Sequence, residues 1–174
     1  IGTPLSDNVL IEKNTNNSNP IVHIVELSSF QTEKINKFFA HIGCILNISE
    51  DHLDRYQSMD EYINAKLNLV SHCESLFYDS NDKLLSHRLK NISNAHTISS
   101  NNYFYIENQS VYESSTKNIL FNLNETHLIG EHNLTNAFFA SIIAKSFGVD
   151  NYFIRKGILK FKPLPHRLEK VNFT

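Results

Sequence analysis

Glu26 closes the apolar run Ile21-Val-His-Ile-Val and is followed by Leu27, Ser28, Ser29, Phe30 and Gln31. In open α/β sheets, ligands bind outside the carboxyl ends of the strands. A carboxylate there, beside hydroxyls and an amide, suits Mg²⁺ and a polar substrate. The same residues read equally well as a helix N-terminus, with Ser28 or Ser29 as the cap and Glu33 nearby. A second polar cluster, Asn47-Ile-Ser-Glu-Asp-His52-Leu-Asp-Arg55-Tyr56, is too rich in side-chain donors and acceptors for an ordinary turn, and His52 is its metal-ligand candidate.

Lys66 shares a helical face with Met59, Tyr62, Ile63 and Val70, so it interrupts a stripe that should face the core. A Lys so placed must snorkel, pair, or lose its charge. A neutral amine can also take up CO₂ and become a metal-binding carbamate. Further on, Asn133 and Asn136 lie three apart at the start of a helix. They can offer amide donors and acceptors to an adenine edge near a helix terminus that favours anions, or Asn133 can simply cap the helix. In Pro163-Leu-Pro-His166-Arg167, the Arg is in reach of phosphates if this linker lies near them.

The elements that must position these groups follow from the hydrophobic pattern. Residues 21–26 and 44–48 predict buried strands, with helical character over 31–40 between them, a βαβ crossover. Residues 58–72 predict a helix opened by a Ser58/Glu61 capping box. Residues 75–78 predict a third parallel strand and 96–99 a fourth. From Asn101 to Ile129 the pattern changes to β-rich segments broken by polar turns, expected as antiparallel hairpins appended to the parallel sheet. A helix over 133–147 with Gly148 at its C′ position and a second over 150–161 complete the reading.

Composition narrows the partners. The 174 residues carry 16 Lys+Arg against 18 Asp+Glu, a formal net charge of -2, which provides no basic field for nucleic acid. No apolar run reaches the roughly 18–20 residues that span a bilayer, so no membrane partner is expected. Cys44 and Cys73 match no metal or disulfide spacing, as in a reducing cytoplasmic protein. The first residue is Ile1, which raises the expectation of a piece of a longer protein.

Taken in order, IGTPL, ELSSFQ, ILNISEDHLDRY, YINAKL, GEHNLTNA and LPHRLE resemble the central-domain motifs of the Mur ligases. ELSSFQ with NISEDHLDRY is most similar to the members that add D-glutamate to UDP-N-acetylmuramoyl-L-alanine. The resemblance implies an α/β fold of P-loop NTPase type: a mostly parallel sheet flanked by helices, with a small antiparallel β extension. Residues 1–162 would be the ATP-binding central domain, and 163–174 a linker and the start of a C-terminal domain.

The activity so implied is ATP-dependent amide-bond formation in peptidoglycan precursor synthesis, in the cytoplasm, with ATP and Mg²⁺. Glu26 would hold Mg²⁺ at the ATP phosphates, while His52 and a carbamylated Lys66 would hold a second Mg²⁺. Ser28 and Gln31 would contact the UDP-sugar substrate, Asn133 and Asn136 the adenine, and Arg167 the phosphates or ribose. Lys66 and His52 are thus the candidate catalytic residues. The family's glycine-rich phosphate loop would precede this text, and no GxxGK[ST] occurs in the sequence. The expectation is a fragment that is inactive alone, whose parent supplies N- and C-terminal domains. Competing readings are another Mur or folylpolyglutamate-type ligase and a non-catalytic nucleotide-binding remnant.

Overall fold

A computed structural model describes residue 7 and residues 21–50 and 54–164. The chain divides into two compact units. One comprises Ile1–Lys37 with His52–Leu69, the other Phe38–Asp51 with Val70–Thr174.

In the first unit, Ser28 begins a four-residue helix, Ser29–Thr32. The Gln31 side chain folds back so that its Oε1 accepts from Ser28 N at 2.9 Å and from Ser28 Oγ at 3.1 Å. The Met59–Leu67 helix starts as its sequence dictates. Ser58 Oγ accepts from Glu61 N at 3.2 Å, and the Glu61 carboxylate accepts from Gln57 N at 2.8 Å, one residue earlier than a standard capping box places it. Tyr62, Ile63 and Ala65 are buried on it. The segment Asn68–His72 then tightens into a 3-10 helix, so the expected helix over 58–72 is α-helical only to Leu67. Asn68 Nδ2 donates to Thr32 O at 2.7 Å and ties the two helices together.

Two expectations fail here. Residues 21–26 form no strand: Ile24 is 95% exposed and Val22 54%. The β-branched run has the right composition, but among the described residues no strand pairs with it, and a strand is completed only by a ladder. The helix expected over 31–40 stops at Thr32. The strand Ala40–Ile45 follows, and at Ala40 it already pairs with Cys73, so the chain must be extended by then.

The second unit holds a parallel sheet in the order β1-β2-β3, with β1 at Ala40–Ile45, β2 at Cys73–Tyr78 and β3 at Ala95–Thr97. Gly43 lets β1 approach β2: a Cβ there would lie 2.9 Å from Cys73 Sγ and from Leu76 Cδ1. Asp82 Oδ1 accepts from Leu84 N and Leu85 N at 3.0 Å each, opening a Lys83–Leu89 helix that the hydrophobic pattern did not announce. Its Oδ2 also accepts from Ile48 N at 3.1 Å.

β4 (Phe104–Glu107), β5 (Ser110–Glu113) and β6 (Ile119–Asn122) pair antiparallel, as the alternation over 101–129 implies. They form a sheet of their own, not an extension of the parallel one. After β3 the chain enters a 3-10 turn at Ile98–Ser100. Asn101 then accepts from Tyr103 N and Phe104 N at 2.8 Å each, redirecting the backbone before β4 begins. Asn108 and Gln109 both adopt positive φ, +46° and +62°, matching the twist of the β4–β5 hairpin.

The Glu131–Ser146 and Asn151–Lys160 helices share a core with this sheet that includes Phe104, Val111, Phe121, Phe138, Phe139, Ile142 and Ile154. The first ends in a Schellman motif. Gly148, at φ +79°, donates from its N–H to Lys145 O at 2.9 Å, and Val149 N donates to Ala144 O at 3.1 Å. Among the described residues, no helix is long and apolar enough to cross a membrane.

Candidate active site

Glu26 lies outside any helix or strand and is exposed. Two residues on, Ser28 and Gln31 are exposed at the helix start and hydrogen-bonded to each other, so the capping alternative describes them as they stand. Lys66, on the Met59–Leu67 helix, is half-buried, with its Nζ 5.0 Å from the centroid of the Tyr62 ring one turn back. Of the three fates open to a Lys on an apolar face, the structure shows pairing, with the ring face as partner. Glu26, Ser28, Gln31 and Lys66 all belong to the first unit. His52 and Arg167 lie outside the described residues.

Asn133 and Asn136 belong to the second unit. The helix there starts at Glu131 after Gly130, so Asn133 sits inside its first turn and is not the cap. Its Nδ2 donates to Ile129 O at 2.8 Å, and Asn136 is exposed on the same helix.

Sequence reasoning passed over the aromatic residues of the first unit. Arg55 places its guanidinium carbon 4.2 Å from the Phe30 ring centroid and donates to Glu33 at 3.4 Å. Phe30 stacks on Tyr56 at 6.0 Å between centroids, with 25° between the ring planes, and Tyr56 meets Tyr62 at 5.4 Å. Glu33, Tyr56, Glu61, Asn64, Ala65 and Asn68 line an open cleft of about 270 Å³. The Ser29 Oγ and Tyr56 hydroxyl are buried without a hydrogen-bond partner among the described residues. A period-3.6 reading of residues 59–70 registers Tyr62 as core and does not reach Phe30 or Tyr56, and nothing local tells a ring that fills space from one that bears a cation.

The donor chemistry suits a hard cation only in part. Among the described residues, no group of three His, Cys, Asp or Glu side chains could enclose a metal. Mg²⁺, however, is usually bound by one or two carboxylates together with substrate phosphates, and the exposed Glu26 carboxylate fits that pattern. Lys66 contributes no carboxylate ligand until it carries a carbamate. Neither cysteine offers an alternative: burial pushes the Cys44 thiol up to about 12 and raises that of Cys73 as well.

A family model described as the Mur ligase middle domain matches residues 8–144. Proteins named UDP-N-acetylmuramoylalanine--D-glutamate ligase are similar to this chain. That of Francisella philomiragia is 36% identical over 86% of this chain and 33% of its own length. The Lawsonia intracellularis protein is 36% identical over 99% of the chain and 34% of its own length. The Lachnoclostridium phytofermentans protein is 34% identical over 99% and 39%. The chain thus spans about a third of the length of the curated relatives it matches. The crystal structure of the UDP-N-acetylmuramate-alanine ligase of Thermotoga maritima shares the fold, with a TM-score of 0.52 at 19% identity over 76% of this chain and 31% of that one.

Proposed function

The chain belongs to the Mur ligase family, and we propose that it is the central part of an ATP-dependent ligase that joins D-glutamate to UDP-N-acetylmuramoyl-L-alanine in the cytoplasm. One observation carries the reading: ELSSFQ, NISEDHLDRY and YINAKL stand in order in a chain similar to proteins named D-glutamate ligases. Residues 1–162 would form the ATP-binding domain and 163–174 lead into a C-terminal domain, with the phosphate loop supplied by the parent protein.

In the proposed reaction, the L-alanine carboxylate oxygen attacks the γ-phosphorus of ATP, releasing ADP and forming an acyl phosphate. The amine of D-glutamate attacks the acyl carbon and loses a proton. The tetrahedral intermediate expels phosphate to leave the amide. Mg²⁺ would neutralise the charge gathering between carboxylate and phosphates. Glu26 would hold one Mg²⁺ at the ATP phosphates, and His52 with a carbamylated Lys66 would hold a second between the substrate carboxylate and the γ-phosphate. For that role the Lys66 amine must add to CO₂, releasing a proton and leaving an N-bound carboxylate. The Ser28 hydroxyl and Gln31 amide, now paired with each other, would exchange that bond for the UDP-sugar substrate. Asn133 and Asn136 would bind adenine, and Arg167 the phosphates or ribose.

The test is phosphate release by the complete gene product. It should require ATP, Mg²⁺, UDP-N-acetylmuramoyl-L-alanine and D-glutamate together, and L-glutamate or L-alanine should not replace the last. Release supported by another amino acid, or by none, refutes the assignment.

A further inference from the structure

Four contacts join Arg55, Phe30, Tyr56, Tyr62 and Lys66 into one continuous ladder with a cation at each end. Tyr56 and Tyr62 are 6% and 2% exposed, so the ladder's centre is shielded from water, while Arg55 stands outside. Each ring comes from a different piece of candidate-site chain. Phe30 sits between Ser28 and Gln31, Tyr56 follows the segment that carries His52, and Tyr62 lies one turn before Lys66. Aromatic side chains have only two rotatable bonds, so a stack of them transmits position with little slack. The observed contacts of Tyr56 within the ladder run through its ring, stacked on Phe30 and tilted against Tyr62.

We infer that Phe30, Tyr56 and Tyr62 are positioning residues that hold Lys66, the Ser28–Gln31 turn and the chain after His52 in one mutual arrangement. The inference rests on the metal-binding role proposed for Lys66. A cation over a ring face is a soft constraint, so Lys66 can leave Tyr62 when it takes on a carboxylate while its stem stays packed where the ladder puts it. The second tie, Asn68 Nδ2 to Thr32 O, reinforces the same pair of helices from the other end.

The complete protein should be titrated with Mn²⁺, followed by electron paramagnetic resonance, in the presence of a non-hydrolysable ATP analogue, with melting temperature recorded alongside. Tyr62→Phe keeps the ring and should bind Mn²⁺ as wild type does. Tyr62→Leu keeps the bulk without the ring and should bind about 10-fold more weakly, the low end of the loss seen when residues behind a metal ligand are altered. If Tyr62→Leu fails to accumulate, Phe30→Leu at the half-buried end carries the same expectation. Unchanged Mn²⁺ affinity in the Leu variant, whatever its melting temperature, makes the ladder mere packing and overturns the inference. A Phe variant as weak as the Leu variant does so too. Wild-type protein that binds no Mn²⁺ with the nucleotide would instead overturn the metal-site reading, and the ladder with it.

Discussion

Replacing Lys66 separates a metal ligand from a Lys that merely pairs with a ring, because the two roles differ widely in energy. Among the described residues, Lys66 places its Nζ 5.0 Å from the Tyr62 ring centroid, on a half-buried side chain. Such a contact contributes about 0.5–1 kcal/mol. Lys66→Met keeps the apolar stem, so its cost in stability should not exceed that amount, a shift of a few degrees in melting temperature at most. A group that stabilises transition-state charge is worth about 2.7–4 kcal/mol, or roughly 10²–10³ in kcat. In the complete enzyme, then, Lys66→Met and Lys66→Ala should melt close to wild type yet lose at least that factor in rate. Acetate or formate should partly restore Lys66→Ala, because a small acid can occupy the place of the missing carboxylate. Lys66→Arg should resist rescue, since its guanidinium fills the space and stays positive. Steady-state phosphate release, with and without added acid, is the assay. A Lys66→Met enzyme of near wild-type rate would refute the carbamate role and leave Lys66 as an ordinary half-buried lysine.

Other expectations concern the frame of the second unit. Asn101→Ala removes acceptors for Tyr103 N and Phe104 N and a donor to Phe104 O, and should cost about 2 kcal/mol of urea-measured stability at net hydrogen-bond values; an unchanged midpoint would refute the role given to that turn. Gly148→Ala forces a side chain into φ +79° and should cost about 1 kcal/mol, although the space around it is open. The N–H of Asn122, with Arg155 second, holds the Glu125 carboxyl below its ordinary range. Its stabilising contribution is therefore full above the ordinary carboxylate range and fades as the pH falls through the lowered value. Glu125→Gln should accordingly be the less stable protein at pH 7, with the gap closing on acidification; a gap that widens in acid contradicts this.

The features legible in the sequence are those whose hydrogen bonds close within a few residues. Ser58 with Glu61 and Gly148 after its helix satisfy backbone groups that lie one turn away, so residue type and spacing suffice to place them. The β-rich pattern over 101–129 is likewise short-range, and the three antiparallel strands described above fall within it. Motif order reached further still, to the family itself, whose middle-domain model matches residues 8–144.

What only the tertiary structure decided depends on groups far apart in the chain. Ile21 to Glu26 has every local property of a strand, but a strand exists only where a second one offers its ladder, and no residue within the run carries that information. β1 starts at Ala40 because Cys73, 33 positions later, is there to pair with it. The antiparallel strands stand apart from the parallel sheet because Asn101 turns the backbone between them. The state of Lys66 is of the same kind. Helical spacing places it on the buried face, but whether its charge meets a ring, a carboxylate or water is settled by the packing of Tyr62 against Tyr56 and Phe30, which lie on separate segments of the chain.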